Sequence, residues 1–139
     1  KCSAMFYLAG DYRTCPAGDK HVPQGYKFRL PFGGRETQNA QSRWFCCKFC
    51  SVMFFDGYPQ KGRCPANRGD SRDKGHIADR TFAYRLPHDV RETPSTQAKW
   101  RFCGTCFAMF YNGYAKKGAC EGGGEHVAQG YNFVLPFEA

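Results

Sequence analysis

One pattern of residues occurs three times in this chain, and its first copy lacks the opening residues. The third copy comprises Trp100, Cys103, Cys106, Met109-Phe110, Gly113, Gly118, Cys120, His126, Gly130-Tyr131, Phe133 and Leu135-Pro136. The second comprises Trp44, Cys47, Cys50, Met53-Phe54, Gly57, Gly62, Cys64, His76, Phe82, Tyr84 and Leu86-Pro87. The first comprises Cys2, Met5-Phe6, Gly10, Cys15, His21, Gly25-Tyr26, Phe28 and Leu30-Pro31. All 3 Met and both Trp fall at equivalent positions, so the repetition decides the architecture.

The repeat predicts a single domain, residues 1–139, made of three units. Unit 1 is residues 1–43, unit 2 is residues 44–99 and unit 3 is residues 100–139. Unit 2 is longer because a polar insertion, residues 67–75, reads as a surface loop. The spacer from Leu-Pro to the next Trp has the same length in both places, which favours fixed geometry over a flexible tether. One unit alone buries too little apolar surface to fold.

Unit 1 is incomplete, because Cys2 is not preceded by the Trp-x2-Cys that opens the other units. The pattern therefore predicts an open strand position in this unit. Such a position can be filled by a strand from another chain, so a homo-oligomer formed by strand donation is one hypothesis.

Short aromatic runs separated by glycine and proline predict an all-β fold. Residues 99–103, 106–111 and 131–135 read as strands of unit 3, and Tyr26–Leu30 alternates like a half-buried strand. Asn112-Gly113 is a hairpin-turn signal, and residues 92–98 read as a loop. Three like units that close on themselves predict a β-trefoil-like or three-fold prism-like arrangement crosslinked by disulfides. An open stack of hairpins is the alternative.

The 9 cysteines allow two chemistries, and we favour disulfides. Cys2 and Cys15 of unit 1 match Cys50/Cys64 and Cys106/Cys120, so a disulfide in each pair leaves unit 1 complete. Cys47, or the adjacent Cys46, then pairs with Cys103. One cysteine remains, and it is available for an intermolecular disulfide.

The alternative chemistry is zinc. Cys-x2-Cys followed by Cys and His offers three thiolates and one imidazole, which is a complete tetrahedral zinc shell. The two full sets are Cys47, Cys50, Cys64, His76 and Cys103, Cys106, Cys120, His126. Unit 1 offers only Cys2, Cys15 and His21, which reads as a degraded site. We expect no other cofactor.

The region after each repeated histidine predicts a glycan-binding site. Aromatic rings stack on sugar C–H surfaces, side-chain amides and imidazoles bond to hydroxyls, and three weak sites add through avidity. The candidate ligand-binding residues are His21, Gln24, Tyr26, His76, Tyr84, His126, Gln129 and Tyr131. Two other interpretations stay open: the tyrosines belong to the core, and each histidine makes local hydrogen bonds that fix a glycine loop.

Charge and motifs narrow the function classes. Lys and Arg number 20 against 12 Asp and Glu, a formal net charge of +8 that favours anionic partners such as acidic glycans. The basic residues are scattered, so nucleic acid is an unlikely partner under the disulfide interpretation and a better one under the zinc interpretation. No long apolar run predicts a membrane span, and no nucleophile, phosphate-loop or dinucleotide motif predicts an enzyme.

The units resemble a repeat seen in secreted bacterial and fungal proteins. That repeat has the form Trp-x-x-Cys-x-x-Cys-x-x-Leu/Met-Phe, then Gly-x-Cys-Pro-Ala-Gly-Gly-x-His, then Gly-x-x-Tyr. The best matches are residues 15–21 and 64–66, whereas Cys120-Glu121-Gly122-Gly123 lacks the Pro-Ala. The resemblance covers nearly the whole chain and implies secretion and modular attachment, with no firm activity.

Together these observations predict a secreted, non-enzymatic, lectin-like protein that is multivalent for glycans. A self-assembling extracellular coat or filament protein is one alternative. A zinc-stabilised interaction or nucleic-acid-binding module is the other.

Overall fold

A computed structural model describes residues 2–7, 15–18, 21–23, 25–65 and 75–138. The prediction of an all-β fold is confirmed, and these residues contain no helix. The strands are β1 (Ala40–Cys47), β2 (Met53–Phe55), β3 (Ala78–Pro87), β4 (Thr96–Cys103), β5 (Met109–Tyr111) and β6 (Ala128–Pro136). Among the described residues, no helix is long and apolar enough to cross a membrane. The predicted loop 67–75 lies outside the described residues except for Gly75.

The strands form two antiparallel sheets of three strands each, in the orders β2-β1-β3 and β5-β4-β6. The two sheets also share their register. Trp44 of the central strand pairs with Phe55 and Tyr84, and Trp100 pairs with Tyr111 and Phe133. The central strands therefore carry the tryptophans, which become buried because both neighbours supply aromatic side chains.

The strands differ from the sequence prediction in two places. Residues 96–98, predicted as loop, belong to β4, because Gln97 pairs with Leu135 and also accepts a hydrogen bond from the Trp100 indole at 3.0 Å. Asn112-Gly113 does not form a hairpin between adjacent strands. The turn that joins β4 to β5 contains Gly104, and β5 pairs with β4 rather than with β6.

Among the described residues of unit 1, those before Ala40, where β1 begins, contribute backbone bridges but no strand. The predicted strand at residues 26–30 is represented by one bridge, between Phe28 and Phe137. The predicted alternation is present in part: Phe28 and Leu30 are half-buried while Lys27 and Arg29 are exposed, but Tyr26, predicted on the buried face, is exposed. This segment therefore has the sidedness of a strand without a continuous ladder.

Equivalent backbone contacts join the three units in a closed order. The bridge Phe6–Val52 links unit 1 to unit 2, and Phe54–Ala108 and Phe110–Ala4 occupy the equivalent positions in the next two pairs of units. The hydrogen bonds Tyr7 N to Ser51 O, Phe55 N to Phe107 O and Tyr111 N to Ser3 O follow the same order at 2.9, 3.2 and 2.9 Å. Contacts thus run from unit 1 to unit 2, then to unit 3, and back to unit 1.

The core is divided into two clusters of buried side chains. One cluster contains the three methionines and both tryptophans, namely Met5, Trp44, Met53, Leu86, Trp100, Phe102, Met109, Phe133 and Leu135. The other collects six of the cysteines around the buried rings of Phe54 and Phe110. Apolar packing and sulfur chemistry therefore occupy separate parts of the interior.

The closed order of contacts makes Gly118 sensitive to substitution. Its φ is +84°, and an added Cβ would lie 2.4 Å from the carbonyl oxygen of Cys2. Gly130 has a φ of +73°, but an added Cβ there would have no heavy atom within 4 Å. Both Ala substitutions carry the left-handed backbone strain of about 1–2 kcal/mol, so only Gly118→Ala adds a steric overlap worth about 1–3 kcal/mol.

We expect Gly118→Ala to lower the thermal unfolding midpoint clearly more than Gly130→Ala. Differential scanning calorimetry of the two variants beside the parent chain measures the difference. Equal midpoints for the two variants would contradict the close approach of units 3 and 1.

Candidate metal centres

Three clusters of cysteine and histidine form at equivalent positions of the three units. They consist of Cys47, Cys50, Cys64 and His76; Cys103, Cys106, Cys120 and His126; and Cys2, Cys15 and His21. In each cluster the candidate ligand atoms all lie within 4.8 Å of one another, and every residue is buried. We call these clusters centre 2, centre 3 and centre 1, after their units.

The ligands of each complete centre come from three segments of its unit. The first cysteine ends the central strand, the second lies at the end of the following turn, and the third follows a loop after the short edge strand. The histidine lies just before the third strand of the sheet. Cys-x2-Cys therefore straddles a strand end and a turn, which presents two sulfurs to the same point.

The spacing of the ligand atoms matches the edges of a metal tetrahedron. The Cys47 and Cys64 sulfurs are 3.7 Å apart, and those of Cys103 and Cys120 are 3.8 Å apart. With Zn–S bonds of about 2.3 Å, tetrahedral geometry places two sulfurs about 3.8 Å apart. Since a Zn–N bond is about 2.0 Å, the corresponding S–N edge is about 3.5 Å. In the centres, Sγ and Nδ1 are 3.5 Å apart at His21 and His76, and 3.4 Å at His126.

The disulfides predicted from the sequence are not formed in the structure. All nine cysteines are free. Two further sulfur pairs, Cys47–Cys64 and Cys103–Cys120, are 3.7 and 3.8 Å apart, beyond the S–S bond length of about 2.0 Å. Cys47 and Cys103, predicted to join units 2 and 3, belong to different centres. Each cysteine predicted to pair within its unit instead shares a cluster with its expected partner and a histidine.

The histidines are oriented as metal ligands. His21, His76 and His126 each place Nε2 on a backbone carbonyl, at 3.0, 3.0 and 2.7 Å. A carbonyl oxygen only accepts, so Nε2 carries the hydrogen and donates it. In the neutral ring this leaves the Nδ1 lone pair directed at the sulfurs, the arrangement of a histidine ligand held by its second nitrogen.

These histidine bonds also connect the centres. The accepting carbonyls belong to Cys50, Cys106 and Cys2, each of which is a member of the following centre. The histidine of centre 1 therefore bonds to centre 2, that of centre 2 to centre 3, and that of centre 3 to centre 1. Each ring is further fixed by a stacked phenylalanine, with centroids 4.7 to 4.8 Å apart in the pairs Phe6–His21, Phe54–His76 and Phe110–His126.

Backbone amides point at the sulfurs and stabilise negative charge there. The amides of Ala17, Phe49 and Gly122 donate to Cys15, Cys47 and Cys120 respectively, each at 3.4 Å. Each donor lies two residues after its cysteine. Donation to the ionised form favours the thiolate, which is the form that binds a metal.

The thiols of each cluster divide into proton acceptors and proton donors. Hydrogen bonding from Cys2 lowers the pKa of Cys15 to about 5, despite burial. In the same way, hydrogen bonds led by those from Cys50 and Cys106 hold the pKa values of Cys47 and Cys103 well below their ordinary value. Each cluster therefore contains one thiol that ionises readily.

The pKa values of His126 and His21 shift in opposite directions. Burial lowers the pKa of His126, but hydrogen bonds with Cys103 and Cys120 outweigh burial and raise the pKa to about 9. Burial is the largest cause at His21 and lowers its pKa. A metal ion takes the place of the protons that such a cluster shares.

Cys46 stands apart from the centres. Burial raises the pKa of its thiol to about 12, so it stays protonated and is a poor ligand or nucleophile. Its position in unit 2 is equivalent to that of Phe102 in unit 3, which is part of the apolar core. Cys46 therefore acts as a small apolar side chain and serves as an internal control for the other eight cysteines.

The residues predicted to bind glycans lie in different environments. The three histidines are buried at 3 to 4% exposure, and both ring nitrogens of each have protein partners. Tyr26 and Tyr131 are exposed, and each stacks on one neighbouring ring, Phe137 or His88. Gln129 is exposed and Tyr84 is half-buried, whereas Gln24 lies outside the described residues. Among these residues, His21 and Tyr26 line the same cavity, which has a volume of about 380 Å³.

The sequence predicted the candidate ligand sets but not the contacts that hold the three histidine rings in place. The stacked Phe6, Phe54 and Phe110 carried a usable signal, since each follows the repeated methionine. The link from each histidine to the next centre has no signal in the sequence, because its acceptor is a backbone carbonyl.

Comparison with protein-family models, curated proteins and solved structures finds no match for this chain.

The centres predict a specific pattern of metal loss. We expect Cys106→Ala to bind one metal ion fewer than the parent chain, because it removes a ligand of centre 3. Cys46→Ala removes a thiol outside the centres and retains the full complement. Native mass spectrometry of zinc-loaded protein counts the ions, and denaturing mass spectrometry counts the thiols.

One outcome would contradict the metal centres. A denatured, unreduced parent chain that lacks two hydrogens for each cysteine pair, with equal metal content in both variants, would establish disulfides instead of metal centres.

Proposed function

We propose that this protein is a zinc-binding module whose metal centres hold its three units together. The observation that carries the proposal is the recurrence of tetrahedral edge lengths in all three clusters, with sulfur–nitrogen separations of 3.4 to 3.5 Å. Neither free packing of thiols nor disulfide bonding demands these separations at equivalent positions. A common central ion accounts for them.

The donor set favours zinc among the common metals. Three thiolates and one imidazole in a tetrahedral arrangement suit Zn²⁺, whereas Mg²⁺ and Ca²⁺ prefer oxygen ligands and more neighbours. Cu(I) also accepts thiolates, so the metal content of the purified protein is the direct check. Zinc has no redox chemistry of its own, which suits a role in holding structure.

A structural role fits centres 2 and 3 because their shells are closed. Each offers four protein ligands, so no position remains for water or substrate, and all eight residues are buried. The ligands also come from separated parts of each unit, from Cys47 to His76 in centre 2. One ion therefore fixes a strand end, a turn and two loops at once.

In this proposal metal binding adds to the stability of the sheets. The edge strands β2 and β5 have only three residues each, so few backbone hydrogen bonds hold them in place. Binding of a structural zinc ion contributes about 10–16 kcal/mol at neutral pH, comparable with the whole stability of about 5–15 kcal/mol of a typical domain. Folding and metal binding are thus expected to be one transition.

We further propose that the protein is an interaction module without enzymatic activity. The three units form a trefoil-like or prism-like ring in this proposal, since equivalent contacts close from unit 3 to unit 1. Secretion, oligomer formation and a nucleic-acid partner stay predictions. Glycan binding also stays a prediction, supported by the exposed Tyr26 and Tyr131, and a glycan array on zinc-loaded protein is its test.

We expect chelation to unfold the protein. The zinc-loaded chain, treated with excess EDTA in the presence of a thiol reductant, should lose its β-sheet circular dichroism and near-ultraviolet tryptophan signal together. Readdition of Zn²⁺ should restore both, and Mg²⁺ should restore neither. Retention of the folded spectrum after measured removal of all metal would show that zinc does not hold this fold.

A further inference from the structure

The carbonyl oxygen of Cys106 is the point at which unit 2 is bonded to a ligand residue of centre 3. His76 Nε2 donates to this oxygen at 3.0 Å, and the Arg63 amide donates to it at 3.2 Å. Both donors lie on segments that carry ligands of centre 2, since His76 is itself a ligand and Arg63 directly precedes Cys64. One carbonyl of centre 3 therefore accepts two hydrogen bonds from centre 2, one for each lone pair.

The two donor segments are joined to each other and approach Cys106 closely. The amide of His76 donates to the carbonyl of Lys61 at 3.0 Å. Gly62, the next residue, has a φ of +73°, and a Cβ added to it would lie 2.2 Å from the Cys106 oxygen. The close approach therefore requires glycine at this position, because a side chain would push the two units apart.

The peptide group that carries this carbonyl also closes the cysteine turn of centre 3. The Phe107 amide, on the other side of the same peptide bond, donates to Cys103 O at 2.9 Å. Phe107 has a φ of +69°, a left-handed conformation that is unfavourable for a residue with a side chain. Such a conformation persists where surrounding contacts hold it. The bonds from His76 and Arg63 are contacts of this kind, since they fix the peptide group that precedes Phe107.

Ligation in one centre strengthens this bond to the other. An imidazole that gives its Nδ1 lone pair to a cation loses electron density, so its Nε2–H becomes a stronger donor. A hydrogen bond from Nε2 to a carbonyl in turn makes Nδ1 a better ligand. A Cys106 side chain held in centre 3 also keeps its carbonyl in place for the His76 ring, which then forms the bond with less loss of entropy. Each centre therefore assists the other through one side chain.

We propose that His76, a ligand of centre 2, is also a positioning residue of centre 3, so that zinc binding in the two centres is coupled. Through the Cys106 carbonyl it holds the turn that presents Cys103 and Cys106 to the same point. This inference rests on the zinc function proposed above and adds that each of these centres binds zinc more tightly when the other is occupied. Thermodynamic linkage makes the effect equal in both directions.

The test measures the zinc occupancy of each centre separately. The full, reduced chain is equilibrated over a series of buffered free Zn²⁺ concentrations and then treated briefly with N-ethylmaleimide, and the modified cysteines are located by peptide mass spectrometry. A thiolate bound to zinc is protected from this reagent, so protection of Cys50 reports centre 2 and protection of Cys106 reports centre 3. Each centre thus has its own midpoint, the free zinc concentration at which half of its reporter cysteine is protected.

The variant His76→Cys separates the two roles of this residue. It keeps four ligands in centre 2, because four cysteines form a common zinc shell, but it lacks the Nε2–H donor. We expect the midpoint of centre 3 to rise about tenfold or more, the usual effect of losing an outer hydrogen bond to a metal site, while Cys50 stays protected at saturating zinc.

Cys47→His is the matched variant. It also changes one ligand of centre 2 and leaves a four-ligand shell, but it retains the bond from His76 to Cys106. Its effect on centre 3 measures what an altered ligand set alone does, and we expect that effect to be the smaller one. An unchanged midpoint of centre 3 in His76→Cys, or an equal rise in both variants, would overturn the proposal.

A second pair of variants tests the same contact without altering any ligand. Gly62→Ala places a methyl group against the Cys106 oxygen, whereas Gly130→Ala has the same φ of +73° and no heavy atom within 4 Å of the added Cβ. We expect Gly62→Ala to raise the midpoint of centre 3 at least about fivefold above that of Gly130→Ala, the lower end of usual coupling between sites. Equal midpoints in these two variants would also overturn the coupling.

A final variant separates this inference from the function on which it rests. Cys120→Ala disables centre 3, and linkage predicts that it raises the midpoint of centre 2 by the factor that His76→Cys imposes on centre 3. If zinc protects Cys50 and Cys106 of the parent chain but Cys120→Ala leaves centre 2 unchanged, the centres bind zinc independently and only the coupling is refuted. If zinc protects neither cysteine of the parent chain, the zinc function itself is refuted.

Discussion

The hydrogen bond from each histidine to the carbonyl of a cysteine in the next centre is the contact on which the arrangement depends. It fixes the ring so that Nδ1 faces the sulfurs, and it joins one unit to the next at 2.7 to 3.0 Å. The bond from His126 to Cys2 spans 124 residues of sequence and closes the order of contacts. Each of these histidine side chains is therefore both a candidate metal ligand and a tertiary contact between two units. A change that disturbs one centre is expected to be felt by its neighbour, because the acceptor carbonyl belongs to a ligand residue.

The buried side chains form two clusters, one of apolar residues and one rich in cysteine. Methionines and tryptophans fill one cluster, whereas the cysteines collect around Phe54 and Phe110 in the other. This division explains how strands as short as three residues remain in place. These strands lie next to the cysteines of the centres, where the metal ligation proposed above restrains the backbone.

The sequence predicted the fold class and the ligand sets, because both follow from local patterns. Alternation of aromatic residues gave β-structure, and the order Cys, Cys, Cys, His gave the centres. The choice between disulfide and metal was beyond sequence reasoning, since the same cysteines serve both; the structure leaves all nine cysteines free, which argues against the disulfides. The hairpin predicted at Asn112-Gly113 is wrong for a related reason. These residues favour a turn, but tertiary contacts decide which strands pair across it. The same is true of residues 96–98, whose polar composition suggested a loop although Gln97 pairs with Leu135.

Neighbouring units, rather than a sheet of its own, hold the described segments of unit 1. Tyr7 N donates to Ser51 O of unit 2, and Arg29 N donates to Pro136 O of unit 3. Contacts of this kind explain how residues 2–7 and 25–30 keep defined positions although they belong to none of the six strands. Position along the chain and position in the fold are thus fixed by different interactions: the sequence repeat sets which residues are equivalent, and backbone hydrogen bonds between units set where they lie.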